Sequence, residues 1–325
     1  MQSHCRRRAF LLALAFVVLY GGVQAQEASQ SDNAGRSRAS ASAAAVAETR
    51  SSTAAVGDLA SIKPVEHNVL HRPIELSDGL THWVDRSYPY GSTQQGARPV
   101  HLGVEFVNPR GTPVYAAKSG VVVFAGADDE ILVGPQLDYY GQVVIVAHPI
   151  ESLAGRQLFT VYGHLDETSV AVGQAVEDLT LLGHIGSSGV ALGPHLHFET
   201  RVDDPYDFRM TRNPELWLQH YIDNGMIIGR IRDEEGAPVL GKRVSVRSND
   251  FNRDVYSYEG RVVNSDPVWD EDFTVGDLPA GDYQVVVLDE VGKIAFAREV
   301  AVEPYRTTFV DIVLANALAA ATPQR

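Results

Sequence analysis

Four of the eleven histidines stand at spacings that could build a metal-dependent catalytic site. His101 precedes Glu105 by four residues, His164 lies in the run Tyr-Gly-His-Leu, and His195 and His197 alternate in Gly-Pro-His-Leu-His-Phe-Glu. Side chains at even separations on a strand share one face, so each pair could point to the same side of a sheet. Two such strands in one sheet would direct up to three imidazoles and one carboxylate to a single spot.

Imidazole and carboxylate groups are common ligands of catalytic zinc, which typically takes three N/O protein ligands and leaves a fourth position for water. Bound zinc lowers the pKa of that water and polarises a carbonyl, and a nearby imidazole can then complete the hydrolysis of an amide. Isolated histidines such as His148, His184 and His220 are interpreted as structural or surface residues. The joint order of the other motifs, with glycine-rich turns between them, favours an amide-hydrolysing zinc site.

The elements that must position these residues are predicted to be strands. Between about residues 61 and 224, short runs rich in Val, Ile and aromatic residues are bounded by Gly or Pro, which indicates mostly antiparallel sheet. The segment 213–222 alone has a helical pattern, with Asn213 as N-cap and Pro214 at the first helical position. From about residue 225 to 315, alternating strands with regular turns predict a small β-sandwich. The predicted fold class is mostly β, with two domains, 61–224 and 225–315.

Residues 101–199, about a third of the chain, resemble the lysostaphin/LytM-type zinc metallopeptidases, which are cell-wall endopeptidases. The resemblance rests on His-Leu-Gly-Val-Glu, Gly-Thr-Pro-Val-Tyr-Ala-Ala, Tyr-Gly-His-Leu and Gly-Pro-His-Leu-His-Phe-Glu. It implies Zn²⁺ as cofactor and peptidoglycan peptides as partners. The site residues that it implies are the zinc ligands His101, Glu105 and His197 and the catalytic histidines His164 and His195. Residues 225–315 resemble the transthyretin-like sandwich of carboxypeptidase regulatory domains through Gly-x-Ile-x-Asp-x-x-Gly-x-Pro and Leu-Pro-Ala-Gly-Asp-Tyr.

The chain departs from the metallopeptidase pattern at Glu105, where the family usually has Asp. The extra methylene moves the carboxylate outward by about 1 Å, against zinc–oxygen distances of about 2.0–2.2 Å. The leading hypothesis is a zinc-dependent hydrolase, an exported endopeptidase of peptidoglycan stem peptides or cross-bridges. The alternative is a catalytically weakened scaffold that binds cell-wall peptides or regulates another wall hydrolase. A third possibility is cleavage of other exported proteins.

Three stretches outside the motifs have two interpretations each. The acidic insertion 126–138 is either a loop that restricts substrate at the groove or a solvated extension. Residues 61–100 are either a segment that covers the groove or the first strands of the domain. The aromatic residues Tyr256, Tyr258 and Trp269 either bind wall polymer or belong to a core.

The amino terminus and the composition predict an exported protein. Residues 1–25 have a basic start, a short apolar run and small residues before Ala25, which is the pattern of a cleaved signal peptide. The polar residues 26–60 are predicted to be a disordered linker and residues 316–325 a tail.

The net charge of the chain is −14. Removal of residues 1–25, which contain three arginines and no acidic residue, changes it to −17. Such a charge argues against nucleic-acid partners, and no apolar run is long enough to span a membrane. The predicted location is secreted or periplasmic, in the cell envelope.

Overall fold

The computed structural model describes residues 66–150 and 156–315, which lie within one compact unit, Asp58–Arg325. The predicted signal peptide 1–25, the linker 26–60 and the tail 316–325 fall outside the described residues. No helix in the described ranges combines the length and the apolar character that crossing a membrane requires.

Sixteen strands arranged in three sheets account for almost all regular structure in the described ranges. Two short 3-10 helices, Phe208–Met210 and Pro214–Leu216, complete it. The strands are β1 Val104–Phe106, β2 Pro113–Tyr115, β3 Gly120–Ala127, β4 Gln142–His148, β5 Leu158–Thr168, β6 Ala175–Val176, β7 Leu181–Ile185, β8 Leu196–Val202, β9 Thr211–Arg212, β10 Asn224–Asp233, β11 Arg243–Arg247, β12 Asn252–Tyr256, β13 Phe273–Pro279, β14 Gly281–Leu288, β15 Ile294–Val302 and β16 Thr307–Leu314.

The first nine strands form one antiparallel sheet with the order β1-β8-β5-β4-β3-β6, to which β2, β7 and β9 add at its margins. Strand β4 shows why this sheet is buried on both faces. Val144 and Val146 pack into one apolar cluster, whereas Val143 and Ile145 pack into a second one on the opposite face. A run of β-branched residues that alternates between two cores makes a stable central strand.

The last seven strands form a three-stranded sheet, β13-β10-β16, and a four-stranded sheet, β12-β11-β14-β15. Side chains of both sheets share one apolar cluster, including Ile231, Val244 and Val285. The pair β10–β16 is parallel, and every other paired strand in the described ranges is antiparallel. The prediction of a mostly β fold with antiparallel sheets is therefore confirmed. The transthyretin-like resemblance and the domain limits at 61–224 and 225–315 stay predictions.

The helix predicted over 213–222 is wrong beyond its first turn. Asn213 caps a 3-10 helix as expected, since its side chain accepts from the Glu215 amide, and Pro214 occupies the first position. The chain then leaves the helical path because Leu70 pairs with it: the Leu70 amide donates to the Trp217 carbonyl at 2.9 Å, and the Leu70 carbonyl accepts from Gln219 at 2.8 Å. Tertiary pairing thus overrides the local helical preference.

A buried polar cluster joins the two predicted domains. The Tyr258 hydroxyl donates to Glu271 at 2.7 Å and accepts from the Asn213 side-chain amide at 3.2 Å. The Asp266 amide donates to the second oxygen of Glu271 at 2.8 Å. Tyr258 and Trp269 are core residues, 4% and 7% exposed, which leaves only Tyr256 of the three candidate aromatics at the surface.

Burial raises the pKa of Glu271 to about 8, above an ordinary value of 4.5. The folded chain therefore binds one more proton than the unfolded chain between these two pKa values, and stability falls as pH rises through that window. Glu271→Gln, which keeps a neutral side chain at every pH, is expected to flatten this dependence by up to about 1.4 kcal/mol per pH unit. Urea unfolding at several pH values between 5 and 8 measures it. The exposed Glu299, replaced by Gln, is the control that should follow the wild type, and parallel profiles for Glu271→Gln and wild type would contradict the prediction.

Candidate metal centre

Strand pairing brings the predicted site residues to one face of the large sheet. In the antiparallel pair β1–β8, Glu105 lies directly opposite His197, and residues opposite each other in such a pair project to the same face. Strand β5, the other neighbour of β8, places Gly163 opposite His197 and so brings His164 alongside. His101 lies before β1, outside the strand that the sequence suggested. His195 lies immediately before β8, where it forms an isolated antiparallel bridge with Gly186.

The rings of His101 and His197 are held in tautomers that turn two lone pairs toward each other. His101 Nδ1 lies 2.6 Å from the Tyr88 carbonyl, which can only accept, so Nδ1 carries the proton and Nε2 the lone pair. His197 Nε2 donates in the same way to the Glu199 carboxylate at 3.0 Å, which leaves the lone pair on Nδ1. These two unprotonated nitrogens are 3.3 Å apart and buried. Two facing acceptors repel each other, and a cation bound by both removes that repulsion.

Glu105 completes a set of three donors. Its Oε1 lies 3.6 Å from His101 Nε2 and 3.5 Å from His195 Nε2. The potential ligand atoms of His101, Glu105 and His197 all lie within 4.8 Å of one another. Two imidazoles and one carboxylate fit zinc, as in sites with two histidines and one glutamate. The longer side chain of Glu105 therefore still places a carboxylate oxygen within 4.8 Å of the ligand nitrogens of His101 and His197.

Behind His197, a buried ion pair fixes the proton on its Nε2. Arg201 is fully buried and donates to Glu199 at 2.7 Å, and the Tyr140 hydroxyl donates to the other oxygen of Glu199. Burial by itself would raise the pKa of Glu199, but the charge of Arg201 and the hydrogen bond from His197 outweigh it and lower the pKa to about 2. Glu199 is thus a carboxylate, which orients the ring and raises the basicity of the free nitrogen.

The two predicted catalytic histidines are oriented by backbone carbonyls. His164 Nδ1 donates to the Ser188 carbonyl at 2.9 Å, and His195 Nδ1 donates to the Gly193 carbonyl at 2.8 Å. These bonds hold a proton on Nδ1 of each ring, so Nε2 is the nitrogen available to the site, and the ring centroids are 4.8 Å apart. His164 has a φ of 61°, in the left-handed region that costs a non-glycine residue about 1–3 kcal/mol. Such strain at a ring that faces the site is typical of functional residues.

Burial also sets the charge of two of these rings. It lowers the pKa of His101 to about 3, with the neighbouring His197 as a second cause. It lowers the pKa of His164 to about 3 as well, again with His197 contributing. Both rings are therefore neutral near pH 7. A neutral ring is required of a ligand and of a proton acceptor alike.

Sequence reasoning missed the residues that orient the site. The ring of Tyr88 stacks on the ring of His101, with centroids 4.2 Å apart and planes 4° from parallel, and no sequence pattern signals this contact. Arg201 and Glu199 lie two residues apart on β8, and the same alternation that paired the histidines could have placed both behind His197. The isolated histidine His148 is structural as expected, since it bonds to the Ser119 carbonyl and the Thr160 hydroxyl.

The two ambiguous stretches near the site also have defined contacts. Within the insertion 126–138, the buried Asp128 accepts from the amides of Tyr140 and Gly141, and the Val133 carbonyl accepts from Arg201 at 2.9 Å. The insertion is thus packed against the site's outer residues. Between residues 66 and 100 there is no strand, and Tyr88 covers His101 from this segment.

Comparison with known families gives an independent test of the motif. Residues 99–208 match the model of Peptidase family M23. The match covers about a third of the chain and includes all five predicted site residues. It supports the predicted metallopeptidase domain, a hydrolase, and the cluster of two histidines and Glu105 is one that could bind a metal.

Two curated relatives and one solved structure are each similar to part of the chain. The DD-carboxypeptidase/endopeptidase Mpg of Neisseria meningitidis is 34% identical over 104 residues, which are 32% of this chain and 20% of the relative. The peptidoglycan DD-endopeptidase ShyA of Vibrio cholerae is 35% identical over 102 residues, 31% of this chain and 20% of the relative. The catalytic domain of lysostaphin from Staphylococcus simulans is 29% identical, with 39% of this chain and 82% of that chain covered and a TM-score of 0.31. The chain spans about a fifth of the length of the two curated relatives.

The facing lone pairs lead to a prediction on metal content. The wild-type chain is expected to bind about one zinc ion, and His197→Ala is expected to lose it because two donors alone hold zinc weakly. Atomic emission analysis of purified protein measures this. His184→Ala removes an imidazole outside the cluster and should keep the metal, and equal zinc content in His184→Ala and His197→Ala would contradict the assignment.

Proposed function

We propose that the chain is an exported, zinc-dependent endopeptidase that hydrolyses peptide bonds of peptidoglycan stem peptides or cross-bridges. The observation that carries the proposal is the convergence of four imidazoles and one carboxylate at a single point, with each imidazole fixed by an outer acceptor. The match to Peptidase family M23 and the names of the two relatives support the reaction and the substrate. The signal-peptide pattern of residues 1–25 supports export.

The residues that would hold zinc are His101, Glu105 and His197. When bound, zinc supplies Lewis-acid activation of water and of the scissile carbonyl. The buried Glu199 carboxylate supports this role because it keeps the proton of His197 on the nitrogen that faces away from the cluster. The set contains no thiol, which suits a chain whose only cysteine, Cys5, lies in the predicted signal peptide.

His164 and His195 are proposed to handle the protons of the reaction. His195 Nε2 lies 3.5 Å from Glu105 Oε1, and the ring centroid of His164 lies 5.7 Å from that of His197, so one ring can accept a proton from the attacking water. The same or the second ring can return a proton to the leaving amine. Because the backbone carbonyls of Ser188 and Gly193 hold each Nδ1 proton in place, neither ring needs to rotate before it can act.

The substrate is proposed to lie as an extended peptide across the rim of the large sheet. Backbone groups of an extended chain can pair with loops and strand ends, which gives affinity without deep pockets. The residues before His195 form one rim: Leu192 is 89% exposed, and the Val190 amide bonds to the Tyr139 carbonyl at 2.8 Å. The insertion 126–138 leads into Tyr139 and forms the adjoining part of this rim.

Replacing either catalytic histidine separates chemistry from metal binding. His164→Ala and His195→Ala are each expected to lower the rate of peptide release from purified peptidoglycan by about 10²–10⁴-fold, because general acid–base catalysis contributes that much. Zinc content should stay near that of the wild type, since neither residue is a predicted ligand. Chelator should abolish release by the wild type. Release at the wild-type rate by either variant would argue against the proposed proton transfers.

The length of the side chain at position 105 distinguishes an enzyme from a disabled scaffold. If Glu105 is a competent ligand, Glu105→Asp should bring no gain in zinc affinity or in peptide release, and Glu105→Ala should lose both. Zinc titration and peptidoglycan digestion of the three proteins in parallel test this. A wild-type chain without zinc and without activity, in which Glu105→Asp restores both, would instead identify a scaffold.

A further inference from the structure

The segment Tyr88 to Thr93, called here the 88–93 segment, sets the position of His101. The ring of Tyr88 stacks on the imidazole, and its carbonyl accepts from Nδ1 at 2.6 Å. The backbone is held as well, because the Gly91 amide donates to the His101 carbonyl at 2.7 Å and the His101 amide donates to the Ser92 carbonyl at 2.9 Å. Since His101 precedes β1, these contacts take the place of strand pairing.

The 88–93 segment contains no strand residue and is held in turn by Glu259, which follows β12. The Glu259 carboxylate accepts from the hydroxyls of Ser92 and Thr93 at 3.1 and 2.9 Å and from the Thr93 amide. The Glu259 amide donates to the Gly91 carbonyl at 2.8 Å. A carboxylate that accepts several hydrogen bonds forms charge-assisted bonds, which are about twice as strong as neutral ones.

Tyr258, the residue before Glu259, is held in place and packs against the 88–93 segment. Gly91 has a φ of +78°, and a Cβ placed on it would lie 2.3 Å from the ring of Tyr258. Only glycine therefore allows the 88–93 segment to approach this ring so closely. Tyr258 is itself fixed, since its hydroxyl bonds to both Glu271 and Asn213.

We propose that Glu259 is a positioning residue for the metal ligand His101, so that the region 225–315 contributes to zinc affinity without touching the metal. This inference rests on the metal centre of the proposed function. Loss of the carboxylate frees the hydroxyls and the amide of residues 92 and 93, and the backbone partners and the stacking partner of His101 then shift together. Outer residues that orient a ligand typically change metal affinity by about 10–100-fold.

Glu259→Ala in the mature chain tests the inference. The zinc dissociation constant, measured by competition with a chromophoric chelator, is expected to rise by about 10-fold or more. Hydrogen exchange of the amides at positions 91, 93 and 101, measured without metal, is expected to accelerate. Glu299→Ala is the matched control because it removes the same charge from an exposed position on β15, and both quantities should equal those of the wild type.

The outcomes separate this inference from the proposed function. Unchanged zinc affinity in Glu259→Ala overturns the inference, even if the variant is less stable to heat. If Glu259→Ala does not fold, Thr93→Val replaces it. This variant keeps the volume and removes the hydroxyl that donates to Glu259 at 2.9 Å and accepts from the Gly96 amide at 2.8 Å. Unchanged zinc affinity of Thr93→Val would also overturn the inference. A wild-type chain that binds zinc but cleaves no peptidoglycan contradicts the proposed function alone, and one that binds no zinc contradicts both.

Discussion

The arrangement of the whole site depends on two nitrogen lone pairs that face each other across 3.3 Å, one on His101 and one on His197. A neutral imidazole has one proton, so it could relieve this contact by changing tautomer and donating to its neighbour. Both rings are prevented from doing so, because a carbonyl and a carboxylate hold the proton on the far nitrogen. The surrounding structure therefore maintains a local repulsion that a cation removes.

This constraint explains an otherwise costly feature of the core. Arg201 and Glu199 form a fully buried ion pair, and pairs of this kind are often no more stabilising than apolar residues of similar size. A neutral residue at position 199 could accept a hydrogen bond from His197 but would hold the proton less strongly. Arg201 stabilises the charge, and its other donors are bound by the carbonyls of Val133 and Pro205 and by the Tyr140 hydroxyl. The ion pair thus holds the proton of His197 on Nε2.

The sequence predicts what depends on strand periodicity and little of what depends on loops. Alternation predicted that His101 shares a face with Glu105 and that His195 shares a face with His197, and Val-rich runs predicted the strands themselves. His101 and His195 do reach the site, but from positions just outside the strands. The stacking of Tyr88 on His101 had no signal, because it arises from a segment whose path is fixed by contacts distant in sequence. The helix predicted over 213–222 ends early for the same reason, because the backbone of Leu70 forms hydrogen bonds with Trp217 and Gln219.

Contacts distant in sequence also bear on how the chain is divided. A limit near residue 224 separates two stretches of sequence, yet residues beyond it hold the segment that leads to His101. Asp277 binds Arg72 and Arg86, and Glu259 binds Ser92 and Thr93. Residues 66–100 have no strands, so these side chains replace the backbone pairing that a sheet would provide. A break at this limit would remove the outer partners of that segment, whose residue Tyr88 contacts His101.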